Sequence, residues 1–227
     1  CSPLVAPQAR VSFYKYLVKK SIVDKNPMLK VISPKIPRRL PDYVSKTDIA
    51  ILFDSISFGN TYCEARNYII MLLLYNTGMR KSELIGLTDE SVDYAQKRIA
   101  VVGKGNKQRI IPVTNDLLTK IRKYIQIRNQ SFECRESFLL LTDKGKPMYP
   151  KLVYNVVNRV LVSMATSTKK SPHILRHTFA THMANNGAEL NTIKELLGHA
   201  SLAATQVYTH NSIEKLKDVY SRSHPKA

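Results

Sequence analysis

Cysteine is scarce in this sequence, and where it stands removes whole classes of protein. The three cysteines, Cys1, Cys63 and Cys134, are odd in number and scattered, which supports neither a disulfide framework nor a metal site and fits a reducing compartment. Long apolar runs are missing too. The longest, Tyr68 to Tyr75, falls well short of the roughly 18 residues that a membrane-crossing helix requires. No signal peptide is visible, so a cytoplasmic protein is expected. Internal repeats and low-complexity tracts are absent. Acidic residues are few: 17 Asp and Glu stand against 35 Lys and Arg, a formal charge of +18 in 227 residues.

That surplus implies a polyanionic partner, because each neutralised phosphate releases counterions and adds affinity. Membranes are anionic as well, but nothing here is built to span or lie in one. With 44% hydrophobic residues, the chain can bury one full core and leaves room for a small remnant. The first residue is Cys1 rather than Met, so a fragment or a processed product is expected.

The first boundary falls in 26–45, where Pro27, Pro34, Pro37 and Pro41 alternate with Lys30, Lys35, Arg38 and Arg39. Proline fixes φ and biases the residue before it away from helix, so this stretch is expected to be extended. It reads as a linker, either a basic strap across a DNA backbone or merely a solvated connection. Before it, Ala9 to Ile22 has helical spacing, with Phe13, Tyr14, Leu17 and Val18 forming the apolar stripe. After it, Ser45 with Asp48 and Thr61 with Glu64 have the Ser/Thr-x-x-acid form that caps a helix start. The second of these helices runs through Ile69 to Tyr75 and is expected to stop at Gly78. Arg80 then stands just past the end of a buried support.

Between 91 and 113 the period changes from helical to alternating. Arg98–Val102 and Gln108–Val113 flank a Gly-rich loop, so a hairpin is expected, with Lys104 near its tip between Gly103 and Gly105. Taken alone, this is an ordinary basic turn as readily as a site. Helices are expected again after Thr114, with Leu117, Leu118, Ile121 and Tyr124 on the apolar face, and from Pro150 to Thr166; a short strand is expected over Phe138–Thr142.

Ser171-Pro172 marks a further helix start, with an expected stop at Gly187. His173, Arg176 and His177 share one face near its positively polarised amino end, where a phosphate oxygen would be favoured. Two histidines so spaced are also consistent with surface or core residues. Zinc is disfavoured, since position 174 is Ile and not the Glu of a His-Glu-x-x-His site. A short helix built on Leu190, Ile193, Leu196 and Leu197 ends at Gly198, which leaves His199 after the stop, and Ser201 caps a segment carrying Tyr208. A tyrosine near a carboxyl terminus is, alone, unremarkable.

Together these stretches resemble the tyrosine recombinase or phage integrase family, in its Xer-like branch. The resemblance covers about 38–220. It rests on Thr77-Gly78-Met79-Arg80-Lys81-Ser82-Glu83-Leu84, Gly103-Lys104-Gly105-Asn106-Lys107-Gln108-Arg109, His173-Ile174-Leu175-Arg176-His177, Leu196-Leu197-Gly198-His199 and Thr205-Gln206-Val207-Tyr208-Thr209-His210. It implies a mainly α fold with a small antiparallel β-sheet (α+β), the catalytic-domain fold of DNA breaking-rejoining enzymes. It divides the chain into a remnant of a DNA-binding domain (1–25), the linker (26–45) and the catalytic domain with a tail helix (46–227).

The resemblance also implies a site. Tyr208 is the nucleophile, Arg80 and Arg176 clamp the phosphate, Lys104 is the general acid, His173 the general base, and His199 a further phosphate donor. DNA contacts are expected from Lys35, Arg38, Arg39, Lys81 and Lys107. No cofactor and no metal are implied. The implied partners are double-stranded DNA at the nucleoid and a tetramer, of this chain or with a related recombinase, in which the tail helix from Ile213 to Tyr220 docks on a neighbour.

Overall fold

The structure, a computed structural model, describes residues 6–30, 43–56, 58–59, 61–103, 105–106, 108–132, 137–162, 171–198 and 219–225. The chain divides into two compact units, Cys1–Leu40 and Pro41–Ala227. The first holds helix α1, Ala6–Lys19, and a 3-10 turn over Pro27–Lys30. That turn departs from the extended course expected for 26–45. Asn26 Oδ1 accepts from the Met28 amide at 2.9 Å, and proline's fixed φ suits a first helical position, so the local side chain wins over the proline spacing. Residues 31–42 lie outside the described residues.

The second unit is organised around helix α3, Tyr62–Thr77, reached from α2, Lys46–Ser55. Every residue from Tyr68 to Thr77 is buried, the pattern of a helix that is apolar all round and therefore central. Its neighbours are α5, Asn115–Ser131, α6, Pro150–Val162, and α7, Pro172–Asn185. Each large side chain removed from water there contributes roughly 1.5–3 kcal/mol. The caps follow the sequence: Ser45 Oγ accepts from the Asp48 amide, and Thr61 and Glu64 form a reciprocal capping box.

A three-stranded antiparallel sheet in the order β1-β2-β3 packs beside the helices, made of β1, Val92–Asp93, β2, Arg98–Val102, and β3, Gln108–Pro112. The expected hairpin is present, with Val102 opposite Gln108 and left-handed φ at Gly105 and Asn106 in its turn. Phe138–Thr142, expected as a strand, forms only isolated bridges. Its buried backbone is satisfied elsewhere: the Leu139 amide bonds Leu87 O, the Leu141 amide bonds Tyr62 Oη, and Arg128 donates to the carbonyls of Phe138 and Leu139. No ladder is then needed to pair those groups.

Residues 219–223 are helical. Tyr220 is buried, donates to Asn76 O at 2.8 Å and stacks on His224. The described part of the tail thus packs against α3 and α7 of its own chain, where Phe179 and Met183 complete a second apolar cluster. Residues 201–218, which include most of the expected tail helix, lie outside the described residues.

Gly78 closes α3 in the left-handed region, φ 59°, and does so in a crowded place. A Cβ there would stand 2.6 Å from Phe179 Cδ1 and 2.8 Å from Leu197 Cδ2. Gly78→Ala therefore combines backbone strain with overpacking, and a loss of about 3 kcal/mol is expected. The measurement is the denaturant midpoint, which should fall at unchanged slope.

Candidate active site

Four segments distant in sequence meet at one end of the core. Past Gly78, Arg80 is the N-cap of the short helix α4, Lys81–Ile85. Glu83, three residues on, reaches back to it: Oε2 accepts from the Arg80 amide at 2.7 Å and Oε1 from Arg80 Nη1 at 2.9 Å. This is the capping-box spacing, with the carboxylate at the position where a helix start favours negative charge. Arg80's side chain remains 38% exposed, while that of Glu83 is 1% exposed.

Arg109 enters from β3. Alternation puts it on the same face as Ile111, which is buried, so a charged side chain occupies a core position and needs a partner. It finds Glu83, with Nη1 on Oε1 at 2.5 Å and Nη2 on Oε2 at 2.8 Å, the two-pronged geometry that suits a guanidinium to a carboxylate. Burial pushes the Glu83 carboxyl upward, but hydrogen bonds from Arg109 and Arg80 outweigh it and hold it below its ordinary range.

Arg176 comes from α7. Its Nη1 donates to Gly78 O and its Nη2 to Leu197 O, both at 2.6 Å. Burial, then the like charges of Arg80 and Arg109, bring this guanidinium down to about 10, still far enough above neutrality to keep it charged.

Helix α8, Leu190–Leu197, ends at Gly198 in the left-handed region, φ 64°. Its last carbonyls are divided among the three arginines. Leu196 O accepts from Arg109 Nε at 3.0 Å, Leu197 O from Arg176, and Gly198 O from Arg80 Nη2 at 3.3 Å. A helix carboxyl end leaves such carbonyls unpaired and carries partial negative charge, so cations are favoured there. Three guanidiniums nevertheless gather here, only Arg80 and Arg109 bond the single carboxylate of Glu83, and the surplus of positive charge suits an anion.

His173 and His177 lie exposed on α7. Partial desolvation on the helix surface, then the neighbouring charges of Lys81, Arg176 and Arg80, hold the His173 imidazole below its usual value, so it is neutral and able to accept a proton near pH 7. Lys81, at the start of α4, is half-buried. Arg80, Arg176, His173 and Lys81 are thus brought together. Lys104, Lys107, His199, Tyr208, Lys35, Arg38 and Arg39 lie outside the described residues. Sequence reasoning quoted Glu83 and Arg109 inside its motifs but gave them no role. The signals were the spacing from Arg80 to Glu83 and a charged residue at a buried strand position. Among the described residues no helix is long and apolar enough to cross a membrane.

The sequence profile described as the phage integrase family matches residues 52–215. The chain is 35% identical over 237 residues to the protein named tyrosine recombinase XerC of Chlorobaculum tepidum, covering 95% of this chain and 70% of that one. It is 38% identical over 220 residues to the XerC of Anoxybacillus flavithermus, covering 95% and 73%. Among solved structures, the XerA recombinase is similar with a TM-score of 0.64 and 28% identity, over 99% of this chain and 76% of that one. The XerH site-specific recombinase bound to its difH substrate shares the fold, with a TM-score of 0.64 and 22% identity. In that pair 81% of this chain covers 51% of XerH, so this chain spans about half of the XerH length.

Proposed function

Because the chain belongs to the phage integrase family and is a tyrosine recombinase, we propose that it cuts and rejoins DNA at specific sites with Tyr208 as the nucleophile. The phenol oxygen attacks phosphorus, the bond to the 5′ oxygen breaks, and the 3′ end is left as a phosphotyrosine. The energy of the broken ester is kept in the new one, so rejoining needs no ATP. Arg80 and Arg176 hold the non-bridging oxygens as negative charge builds there. His173 takes the tyrosine proton, Lys104 gives one to the departing 5′ oxygen, and His199 adds a hydrogen bond. Lys35, Arg38, Arg39, Lys81 and Lys107 are assigned to the DNA backbone. The partners proposed are double-stranded DNA and three further protomers, copies of this chain or of a related recombinase.

The observation that carries this reading is the convergence of Arg80 and Arg176 on the consecutive carbonyls of Leu197 and Gly198, beside an exposed histidine held neutral. The test is to incubate the chain, in EDTA and without ATP, with a pool of nicked duplexes of randomised sequence around the nick. An SDS-resistant protein–DNA adduct is expected. If no duplex in the pool is captured, the reading fails; if supercoils are relaxed but no recombinant product forms, a nicking-closing enzyme replaces it.

The His173 shift gives a pH prediction. Its folded value lies below the usual 6.5, so the unfolded chain binds this proton more readily, and stability falls as pH drops below 6.5. The same proton removes the base. At sub-saturating DNA, which reports the free enzyme, cleavage is expected to hold a plateau at neutral pH and to fall with a midpoint below 6.5. His173→Gln should remove that inflection and lower the plateau on the order of 100-fold.

A further inference from the structure

We infer that Arg109 is a positioning residue for cleavage: by holding both oxygens of Glu83 it keeps that carboxylate from drawing in the whole Arg80 fork, which stays open to solvent and able to face a phosphate. The inference rests on the proposed function. Arg109 and Glu83 expose 6% and 1% of their side chains, so neither reaches DNA, and any effect they have passes through a neighbour.

That neighbour is Arg80, and the sharing is explicit. Each Glu83 oxygen accepts once from Arg109 and once from Arg80. Only Arg80 Nη1 is engaged by the carboxylate; Nη2 has the long 3.3 Å contact to Gly198 O, and the side chain stays open to solvent. With Arg109 present, the carboxylate already has a full positive partner, and the charge of Arg80 is left over for an incoming anion. Without it, a buried carboxylate faces Arg80 alone. An uncompensated buried charge is strongly disfavoured, so Glu83 would draw the Arg80 fork inward and neutralise it.

Arg109 is placed for more than one such task. It sits on the return strand of the hairpin whose turn carries Lys104, and its Nε holds Leu196 O, three residues before His199. Its side chain also lies where a Cβ on Gly198 would stand 2.9 Å from Arg109 Cδ. One guanidinium thereby ties together β3, α4 and the end of α8, three segments that each lead to a residue assigned to the reaction.

The experiment compares Arg109→Met, Arg109→Lys and the double variant Glu83→Gln with Arg109→Met, on the nicked duplex recovered with the unaltered chain. Single-turnover adduct formation, DNA retention in a mobility shift and thermal unfolding are read together. Arg109→Met is expected to slow adduct formation on the order of 100-fold, the scale of one lost transition-state donor, with DNA retention unchanged. Arg109→Lys, which restores charge but not the fork, should fall between. The double variant, which lacks the capturing carboxylate, should be faster than Arg109→Met. A double variant no faster than the single one reduces the pair to packing and overturns the inference. If Arg109→Met does not fold, Arg109→Lys decides, and unaltered cleavage by it overturns the inference too. Failure of the unaltered chain to form any adduct is a different result, and sinks the proposed function itself.

Discussion

Tyr208→Phe is expected to abolish the SDS-resistant adduct, a loss on the order of 10⁴-fold or more, while DNA retention and thermal unfolding stay at the values of the unaltered chain. The substitution removes one oxygen and keeps the ring, so it separates chemistry from binding. The chain has 12 tyrosines, and four of the described buried ones are poor substitutes. Burial pushes the phenols of Tyr62, Tyr75, Tyr124 and Tyr220 above their ordinary value, which disfavours the phenolate that an attack requires. Tyr220 is the informative control, because it lies on the same carboxyl-terminal stretch yet donates its hydroxyl to Asn76 O. Tyr220→Phe should cost about 1 kcal/mol of stability and keep the adduct. The opposite pattern, an adduct in Tyr208→Phe and none in Tyr220→Phe, would move the nucleophile to Tyr220.

Local chemistry made much of the fold readable before any coordinates. Ser45, Thr61, Gly78 and Gly198 each act through groups within four residues, so their spacing alone states where helices begin and end. The hairpin followed from period-two alternation around a glycine-rich turn. What escaped was decided by which particular groups the folded chain brings together. β1 is two residues long and exists because Val92 pairs with Ile99 and Asp93 with Arg98. Phe138–Thr142 has strand-like composition, but a tyrosine, an arginine and Leu87 O satisfy its backbone. Pro27–Lys30 turned where its prolines suggested extension, because Asn26 supplied a local acceptor.

The site divides in the same way. Arg80, Arg176 and His173 were legible as chemical types at suggestive spacings, and the folded chain gathers them. The Glu83–Arg109 pair, 26 residues apart, was not, since no local rule says which arginine a buried glutamate will meet. The assignments of Lys104, His199 and Tyr208 rest on the resemblance alone.

The second large effect is expected at Arg176, where stability and catalysis should part company. Arg176→Ala leaves Gly78 O and Leu197 O without their donors, at about 1–3 kcal/mol each. It also relieves the cost of burying a charge among like charges, the same cost that brings this guanidinium down to about 10. The two effects oppose each other, so a net stability loss of about 1–2 kcal/mol is expected, read as a modest fall in the denaturant midpoint. Cleavage has no such offset. Losing a fork proposed to face the developing charge should lower it at least about 10³-fold. Arg176→Lys should be nearly as slow, because a single ammonium cannot span two carbonyls and a phosphate oxygen together. Cleavage by Arg176→Ala within about tenfold of the unaltered chain, a difference of only about 1.4 kcal/mol, would remove this guanidinium from the reacting phosphorus and leave it as a strut between α3 and α8.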